Sequence, residues 1–461
     1  MTKRIDLRRH CLAGGPQIVA LGAERHANRD QLRDRVLELS RALAARPEHR
    51  WGIWHQNAWD FLCSFMALAL AGKQIVMPHN MQTGTAQVLA KHYQMLLTDA
   101  PLTAELHSSE GQLTPEQLLA DGTAPVSDLP VPTEPVDLIL FTSGSTGEPQ
   151  PIRKTLELLE LELATLERNF GPRLGQTSVL STVSHQHIYG LLHHLLWPWW
   201  RGAPFVIAPC QFPEELAVAL RRWQPATLVS SPTHLSRLPR ASAFRNRPEG
   251  VQEVISSGGL LAEHDALAMA ELTGSAPLEI LGSTETGSVA WRRRTGGERW
   301  QPLQGVTVER SANDCLLVKS PHVGRAEGFE MGDRVQLLDD GGFILLGRAD
   351  RIVKVEGKRL SLTEMQRHLE AHGAIAEARI ILVKGRREQL AVVATLTEAG
   401  QAQLASGGKL ALNQALRAEL RNYFETPVLP RRWRYVDELP YNAQGKVTEA
   451  ALQEILNGDG P

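Results

Sequence analysis

The chain has 461 residues, with 49 Lys and Arg against 51 Asp and Glu, and 43% of its side chains are hydrophobic. That length allows two or three domains with large cores, and the net charge of −2 leaves no polyanion footprint, so composition gives a nucleic-acid partner no support. Cys11, Cys63, Cys210 and Cys315 lie far apart without a C-x-x-C pair, which reads as reduced thiols of a cytoplasmic protein rather than a disulfide frame or zinc site.

The basic start "MTKRIDLRRHCLAGG" lacks an apolar run, so no signal peptide is expected, and "FLCSFMALALAG" is too short to span a bilayer. "RDQLRDRVLELSRALAA" places Leu32, Val36, Leu37, Leu39 and Leu43 on one helical face. "RWGIWHQN" reads as a buried strand, followed by an amphipathic helix and the short strand "KQIVMPHN". This rhythm predicts a doubly wound, mostly parallel sheet. The proline-rich "APVSDLPVPTEP" is an extended connector that delivers the strand 136–141. A second α/β stretch follows: strand "SVLSTVSH", helix "YGLLHHLLWPWW" stopped by Pro198, strand "PFVIAP", helix "EELAVALRRWQ" and strand "ATLVSSP". Beyond Leu281 the pattern turns to β ribbons, in "CLLVKSP", "RVQLLDDGGFILLGR" and "RIVKVEGKRLS". The C-terminal part alternates helix, two strands, helix and the tail "ELPYNAQGKVTEAALQEIL". The expected architecture is α/β: a large N-terminal domain over 1–348, of doubly wound sheets plus a β-ribbon region, and a small mobile α+β domain over 349–461.

The stretch "LILFTSGSTGEPQP" crowds glycines and hydroxyls behind an apolar strand. It is not a Walker loop, because Gly144 and Gly147 are too close and Glu148 replaces the lysine. Nor is it a G-x-S-x-G elbow, being one residue short. It reads as an anion-binding nest, with Thr142, Ser143, Ser145 and Thr146 as hydroxyl donors, or as a Ser/Gly-rich surface turn.

Four motifs then fall in one order: "FTSGSTGEP", "LGSTETG" (281–287), "GD" (332–333) with "GRADRIVKVEGKRLSLTEM", and "LPYNAQGK" (439–446), with "HIYG" (187–190) as a weaker fifth. Together they resemble the AMP-forming adenylating enzymes, the superfamily of acyl- and aryl-CoA synthetases, carrier-protein ligases and luciferases. The resemblance implies ATP-dependent activation of a carboxylic acid to an acyl-adenylate with release of pyrophosphate, then transfer to a phosphopantetheine thiol. Positioning and charge stabilisation carry such chemistry, without a protein nucleophile.

By this resemblance Thr142, Ser143, Gly144, Ser145, Thr146 and Gly147 hold the β- and γ-phosphates of ATP. Gly258, Gly259 and Leu260 line the adenine, in a segment that alone reads equally as a tight turn. Gly282, Ser283 and Thr284 face the nucleotide, and Glu285 helps hold Mg2+, which prefers oxygen ligands. Asp333 accepts from the ribose hydroxyls beside Arg348. Lys446 is the catalytic lysine of the small domain, Asp350 the hinge, and Lys354 and Gly357 lie on the thiol side, with Lys354 acting in thioester formation. His187, Gly259 and Gly282 line the acyl pocket. Several positions depart from the family pattern: Gln150 and Pro151 replace its lysine and glycine, with Arg153 and Lys154 supplying charge nearby. Leu281 replaces an aromatic, Met331 a threonine, Glu356 a lysine and Thr448 or Glu449 an arginine.

"SHQHIYG" offers no aspartate to pair an amino-acid ammonium, so an aromatic or fatty acid is expected. The tryptophans of "LLWPWW" suit an aromatic pocket or core packing, and His185, His193 and His194 read as packing or pocket lining ahead of metal ligation. The short N-terminal portion resembles stand-alone ligases that load a separate acyl carrier protein, and this acceptor is placed first. Arg292–Arg294 and Arg431–Arg434 offer either a docking surface for such a carrier or for CoA phosphates, or a solvated cationic face. The alternatives are the same activation ending on CoA, and a non-catalytic protein that binds nucleotide or acyl-adenylate.

Overall fold

The computed structural model describes residues 5–78, 81, 83–99, 111–121, 131–143, 149–355, 358–383, 389–424, 426–442 and 446–458. The chain divides into two compact units. The first holds Met1–Val308 and Val318–Phe329, the second Glu309–Leu317 and Glu330–Pro461.

Among the described residues, the first unit contains a nine-stranded and a six-stranded sheet. In the nine-stranded sheet the strands Ile18–Leu21, Phe205–Val206, Ser178–Ser181, Ala226–Ser230, Val251–Ser256 and Leu278–Ser283 run parallel in that spatial order. Antiparallel strands flank them: His26–Asn28 on one side, Gly287–Arg292 and Gln301–Pro302 on the other. The strand Ala226–Ser230 is buried along its whole length, as a strand covered on both faces must be. The six-stranded sheet is parallel except for its edge strand Pro149–Thr155, which pairs antiparallel with Asp137–Ser143.

The helix Ala58–Leu70 is apolar nearly all round and is buried from Phe61 to Leu70. Burial on every side suits such a composition. The helix Leu156–Leu174 packs against both Pro149–Thr155 and Gly287–Arg292, and so touches both sheets. All four cysteines are free and buried, and burial pushes the Cys11 thiol up to about 12.

Pro198 does not stop its helix, contrary to expectation. The segment Leu191–Leu196 is π-helical, and Trp197–Arg201 continues as α-helix with Pro198 in its first turn. The looser π turns lack the tight i−4 bond that a proline would break. The helix ends instead at Gly202, whose φ of 81° is a left-handed cap.

The second unit is built around the hairpin Phe329–Leu337/Phe343–Arg348, the ribbon Ile352–Val355/Lys358–Ser361 and a sheet of Ile375–Val383, Gln389–Leu396 and Arg432–Tyr435. The helix Leu362–Glu370 covers this sheet through Met365 and Leu369, and Glu398–Leu420, broken at Gly408, adds Leu412, Leu416 and Leu420 to the same core. The hairpin of Asp333 and Arg348 thus falls in the unit of the C-terminal residues, whereas the sequence expectation places a boundary after Arg348. Among the described residues no helix is long and apolar enough to cross a membrane.

Candidate active site

The parallel strands Ser178–Ser181, Ala226–Ser230, Val251–Ser256 and Leu278–Ser283 are consecutive neighbours in the nine-stranded sheet, so their C-terminal ends share one edge. Loops beyond such an edge are where α/β sheets bind ligands. After the first strand, His185 Nε2 and Gln186 Nε2 both donate to the carbonyl of His55, at 2.9 and 2.5 Å. The two bonds pin the segment leading into "HIYG" against the end of the strand Arg50–Trp54. His187 is half-buried at the start of the helical segment that follows. Tyr189 Oη lies 3.1 Å from Ser230 O and 2.9 Å from Ile255 O, so one hydroxyl spans the ends of two strands. Gly190 cannot be larger, because a Cβ there would lie 2.2 Å from Ser184 O.

After Val251–Ser256 comes the expected adenine segment. Gly258 has a φ of +88°, which favours glycine. Ser257 Oγ donates to Ile280 O at 2.8 Å, and Leu261 N donates to Glu279 Oε2 at 3.0 Å, so the next strand holds both ends of the segment. Between them Leu260 is 58% exposed, unusual for a leucine bracketed by fixed residues.

The hairpin Leu278–Ser283/Gly287–Arg292 carries "GSTETG" at its tip. Gly282 is required by close approach, since a Cβ would lie 2.4 Å from Gly287 O. Ser283 Oγ accepts from Thr286 N and Thr286 Oγ1 accepts from Ser283 N, each at 3.1 Å. This reciprocal pair closes the turn around Thr284 and Glu285, both half-buried. Deeper in the hairpin, Glu279 and Arg292 form a buried two-bond ion pair, both bonds 2.9 Å, with Arg292 stacked over Trp300. Arg293 pairs with Glu253 at 2.5 Å. Sequence reasoning missed this framework, because neither glutamate has a motif and nothing local names its partner, 13 residues on for Glu279 and 40 for Glu253.

The expected phosphate residues connect Asp137–Ser143 to Pro149–Thr155. Gly144, Ser145, Thr146 and Gly147 lie outside the described residues, as do the side chains of Thr142 and Ser143. Lys154, offered by the sequence as nearby charge, is buried. Its Nζ donates to Glu285 O at 3.2 Å and to His322 O at 3.5 Å.

In the second unit Asp333 and Arg348 face each other across the hairpin, with carboxylate and guanidinium 3.8 Å apart. A Cβ on Gly332 would lie 2.8 Å from the Arg348 guanidinium, so the glycine of "GD" makes room for it. Lys446 is exposed on a turn closed by the Tyr441–Val447 bridge, by Asn442 N to Lys446 O, and by Lys446 N to Asn442 Oδ1, both 2.9 Å. Asp350 lies in the short turn Ala349–Arg351, and Lys354 in the ribbon strand opposite Arg359. Gly357 and the side chains of Asp350 and Lys354 are outside the described residues.

Two surface expectations are corrected. Arg292 is buried in its pair with Glu279, while Arg432 and Arg434 donate to the carbonyls of Leu456 and Gly458 at the end of the helix Glu449–Asn457. Burial removes Arg292 from any open docking patch, while Arg432 and Arg434 are half-buried with their guanidiniums tied to main-chain carbonyls. Trp197 and Trp199 are core residues, 1% and 2% exposed. His193 Nδ1 and His194 Nε2 donate to the carbonyls of Tyr189 and Val206, and burial lowers their pKa to about 4 and about 3, so both stay neutral.

A family model described as AMP-binding enzyme matches residues 8–318, more than half of the chain. A 4-coumarate–CoA ligase from Rhodobacter capsulatus is 29% identical over 69% of this chain and 76% of its own length. A benzoate–CoA ligase from Thauera aromatica is 24% identical over 80% and 76%. Among solved structures, a benzoate CoA ligase from Burkholderia xenovorans LB400 superposes with a TM-score of 0.79 at 19% identity, covering 97% of this chain and 99% of that one. An ATP-bound chimera, RpMatB-BxBclM B1, reaches 0.83 at 18% identity over 97% and 98%. The chain belongs to the AMP-binding enzyme family, and it is an AMP-forming acid–thiol ligase that activates a carboxylic acid through its adenylate.

Proposed function

We propose that the protein is an aryl-CoA ligase: it adenylates an aromatic carboxylic acid with ATP and passes the acyl group to the thiol of CoA. The observation that carries this reading is the grouping of the His187, Gly258–Leu260 and Gly282–Glu285 segments on adjoining strand ends, the first two bonded to the next strand and the third closed by its own bonds. In the first half-reaction a carboxylate oxygen of the acid attacks the α-phosphorus of ATP, and the bond to the β-phosphate breaks to release pyrophosphate. In the second, the thiol sulfur attacks the acyl carbon, AMP leaves and the thiol proton is lost. Both steps crowd negative charge, so the protein's part is to orient anions and offset their repulsion.

In this reading Thr142–Gly147 take the β- and γ-phosphates, and Leu260 and Leu281 cover the adenine. Asp333 and Arg348 take the ribose, and His187 walls the acyl pocket with Gly259 and Gly282. Lys446 meets the α-phosphate and the acid's carboxylate, and Lys354 and Gly357 serve the thiol side after rotation about Asp350. Among the described residues no group of three or more His, Cys, Asp or Glu forms a dedicated metal cage. A single carboxylate fits Mg2+ nonetheless, because that ion keeps its waters and takes most other ligands from phosphates. Glu285, half-buried on its closed turn, is that carboxylate. Bound there with ATP, the ion would neutralise phosphate charge.

The choice of CoA over a carrier protein, which the sequence ranked first, is supported by relatives named as 4-coumarate– and benzoate–CoA ligases. The test supplies ATP, Mg2+ and a panel of benzoates, cinnamates and fatty acids with either CoA or a holo-carrier protein, and reads thioester mass. The reading predicts aryl-CoA; thioester on the carrier alone, or on fatty acids alone, contradicts it.

A further inference from the structure

Lys154 stands on the strand leaving the phosphate loop, and its aliphatic stem and ammonium are both inside the protein, with the residue 4% exposed. Burying an ammonium is costly unless it is paired and hydrogen-bonded. Its ammonium donates to two main-chain carbonyls, Glu285 O at 3.2 Å and His322 O at 3.5 Å. Both carbonyls belong to one buried polar group. His322 Nε2 donates to Ser288 O at 3.0 Å, and Glu162 Oε1 accepts from Ser288 N at 2.7 Å and Ser288 Oγ at 2.9 Å. Glu162 is 1% exposed, and its other oxygen lies 2.4 Å from where a Cβ on Gly287 would stand. The Glu162 and Glu285 carboxylates both favour the charged form of Lys154, against the lowering that burial imposes. The ammonium therefore has compensating negative charge beside it and a fixed geometry.

We infer that Lys154 is a positioning residue for nucleotide activation: from the strand Pro149–Thr155 it clamps the main chain at Glu285, and so fixes where the carboxylate of Glu285 stands against that strand. This rests on Glu285 serving Mg2+ and ATP as proposed above. The clamp gives the lysine a different task from a direct phosphate contact, because its ammonium is spent on carbonyls behind the turn. It also accounts for a buried lysine in an edge strand whose preceding residues Pro151 and Arg153 are exposed.

The test measures acid-dependent ATP–pyrophosphate exchange against MgATP and against free Mg2+ for wild type, Lys154→Met, Glu285→Gln and the double variant, with melting temperature for each. Lys154→Met should raise the MgATP KM and the Mg2+ needed for half-maximal exchange by about ten- to a hundredfold, the scale of one buried charged hydrogen bond. The double variant should be no worse than Glu285→Gln, because the lysine acts through that residue. Should Lys154→Met fold poorly, Lys154→Gln, which keeps a shorter uncharged donor, is read in the same way. A folded Lys154 variant with wild-type KM and Mg2+ dependence overturns the clamp, and so does a double variant in which the two losses multiply. Wild-type exchange from Glu285→Gln would show instead that the assignment of Glu285 is wrong, and the clamp would fall with it.

Discussion

The two places where charge matters most are built in opposite ways. The hairpin tip of Gly282–Thr286 is underpinned by buried ion pairs and charged hydrogen bonds: Glu279 with Arg292, Glu253 with Arg293, Glu162 with Ser288, and Lys154 beneath Glu285. Lys446 is exposed, and its backbone pairs with Asn442 beside the Tyr441–Val447 bridge. Preorganised groups cost little to align at the moment of reaction, whereas a residue proposed to serve one half-reaction and leave for the next is better placed at the surface. In one case charge is built into the architecture, and in the other it is carried on it.

That contrast is open to direct attack. Lys446→Ala should lower adenylation by about a hundred- to a thousandfold, the scale of removing one group that stabilises developing charge, with little change in melting temperature. A variant that unfolds early would show that the turn carries structural weight after all. Arg292→Met should do the reverse. Stranding Glu279 in a buried site costs about 3–5 kcal/mol of stability, read by denaturant unfolding, while the paired change Glu279→Leu/Arg292→Met should recover most of it. Any activity lost in the single variant should track the folded fraction.

A smaller effect concerns acid. Burial holds His185 and His193 at about 4 and His194 at about 3, below the ordinary 6.5. These groups bind more protons unfolded than folded between those limits, so stability is complete above about 6.5 and is lost as pH falls toward about 4. Glu160 has the opposite sign, since its carboxyl, raised to about 7 by burial, favours the folded state as pH falls from about 7 to about 4.5. Unfolding midpoints measured from pH 8 to pH 4 should drop in wild type and drop further in Glu160→Gln, which keeps an acceptor for Leu7 N but has no proton to gain.

How much of this was legible in the sequence depends on the range of the interaction. Local pattern was readable: Leu32, Val36, Leu39 and Leu43 are buried on the helix that their spacing predicts, while Leu37, placed on the same face, is half-buried. The motif glycines were readable as well, since Gly282 and Gly190 sit where a backbone oxygen leaves no room for a Cβ. "GD" and Arg348 do meet across one hairpin. Long-range pairing was not readable. Nothing adjacent to Arg292, Arg432 or Lys154 says which glutamate or carbonyl each will reach, so basic residues that the sequence offers as surface charge are internal ties. Pro198 misled for a local reason, because a run that ends a regular α-helix is tolerated after π-helical turns.

The central claim is that this site activates a carboxylic acid through an adenylate, and radiolabelled ATP–pyrophosphate exchange tests it most directly. With Mg2+ present the wild-type protein should exchange only when a cognate aromatic acid is added, and Lys446→Ala should not. Exchange independent of any acid, or exchange undiminished in Lys446→Ala, would contradict the account.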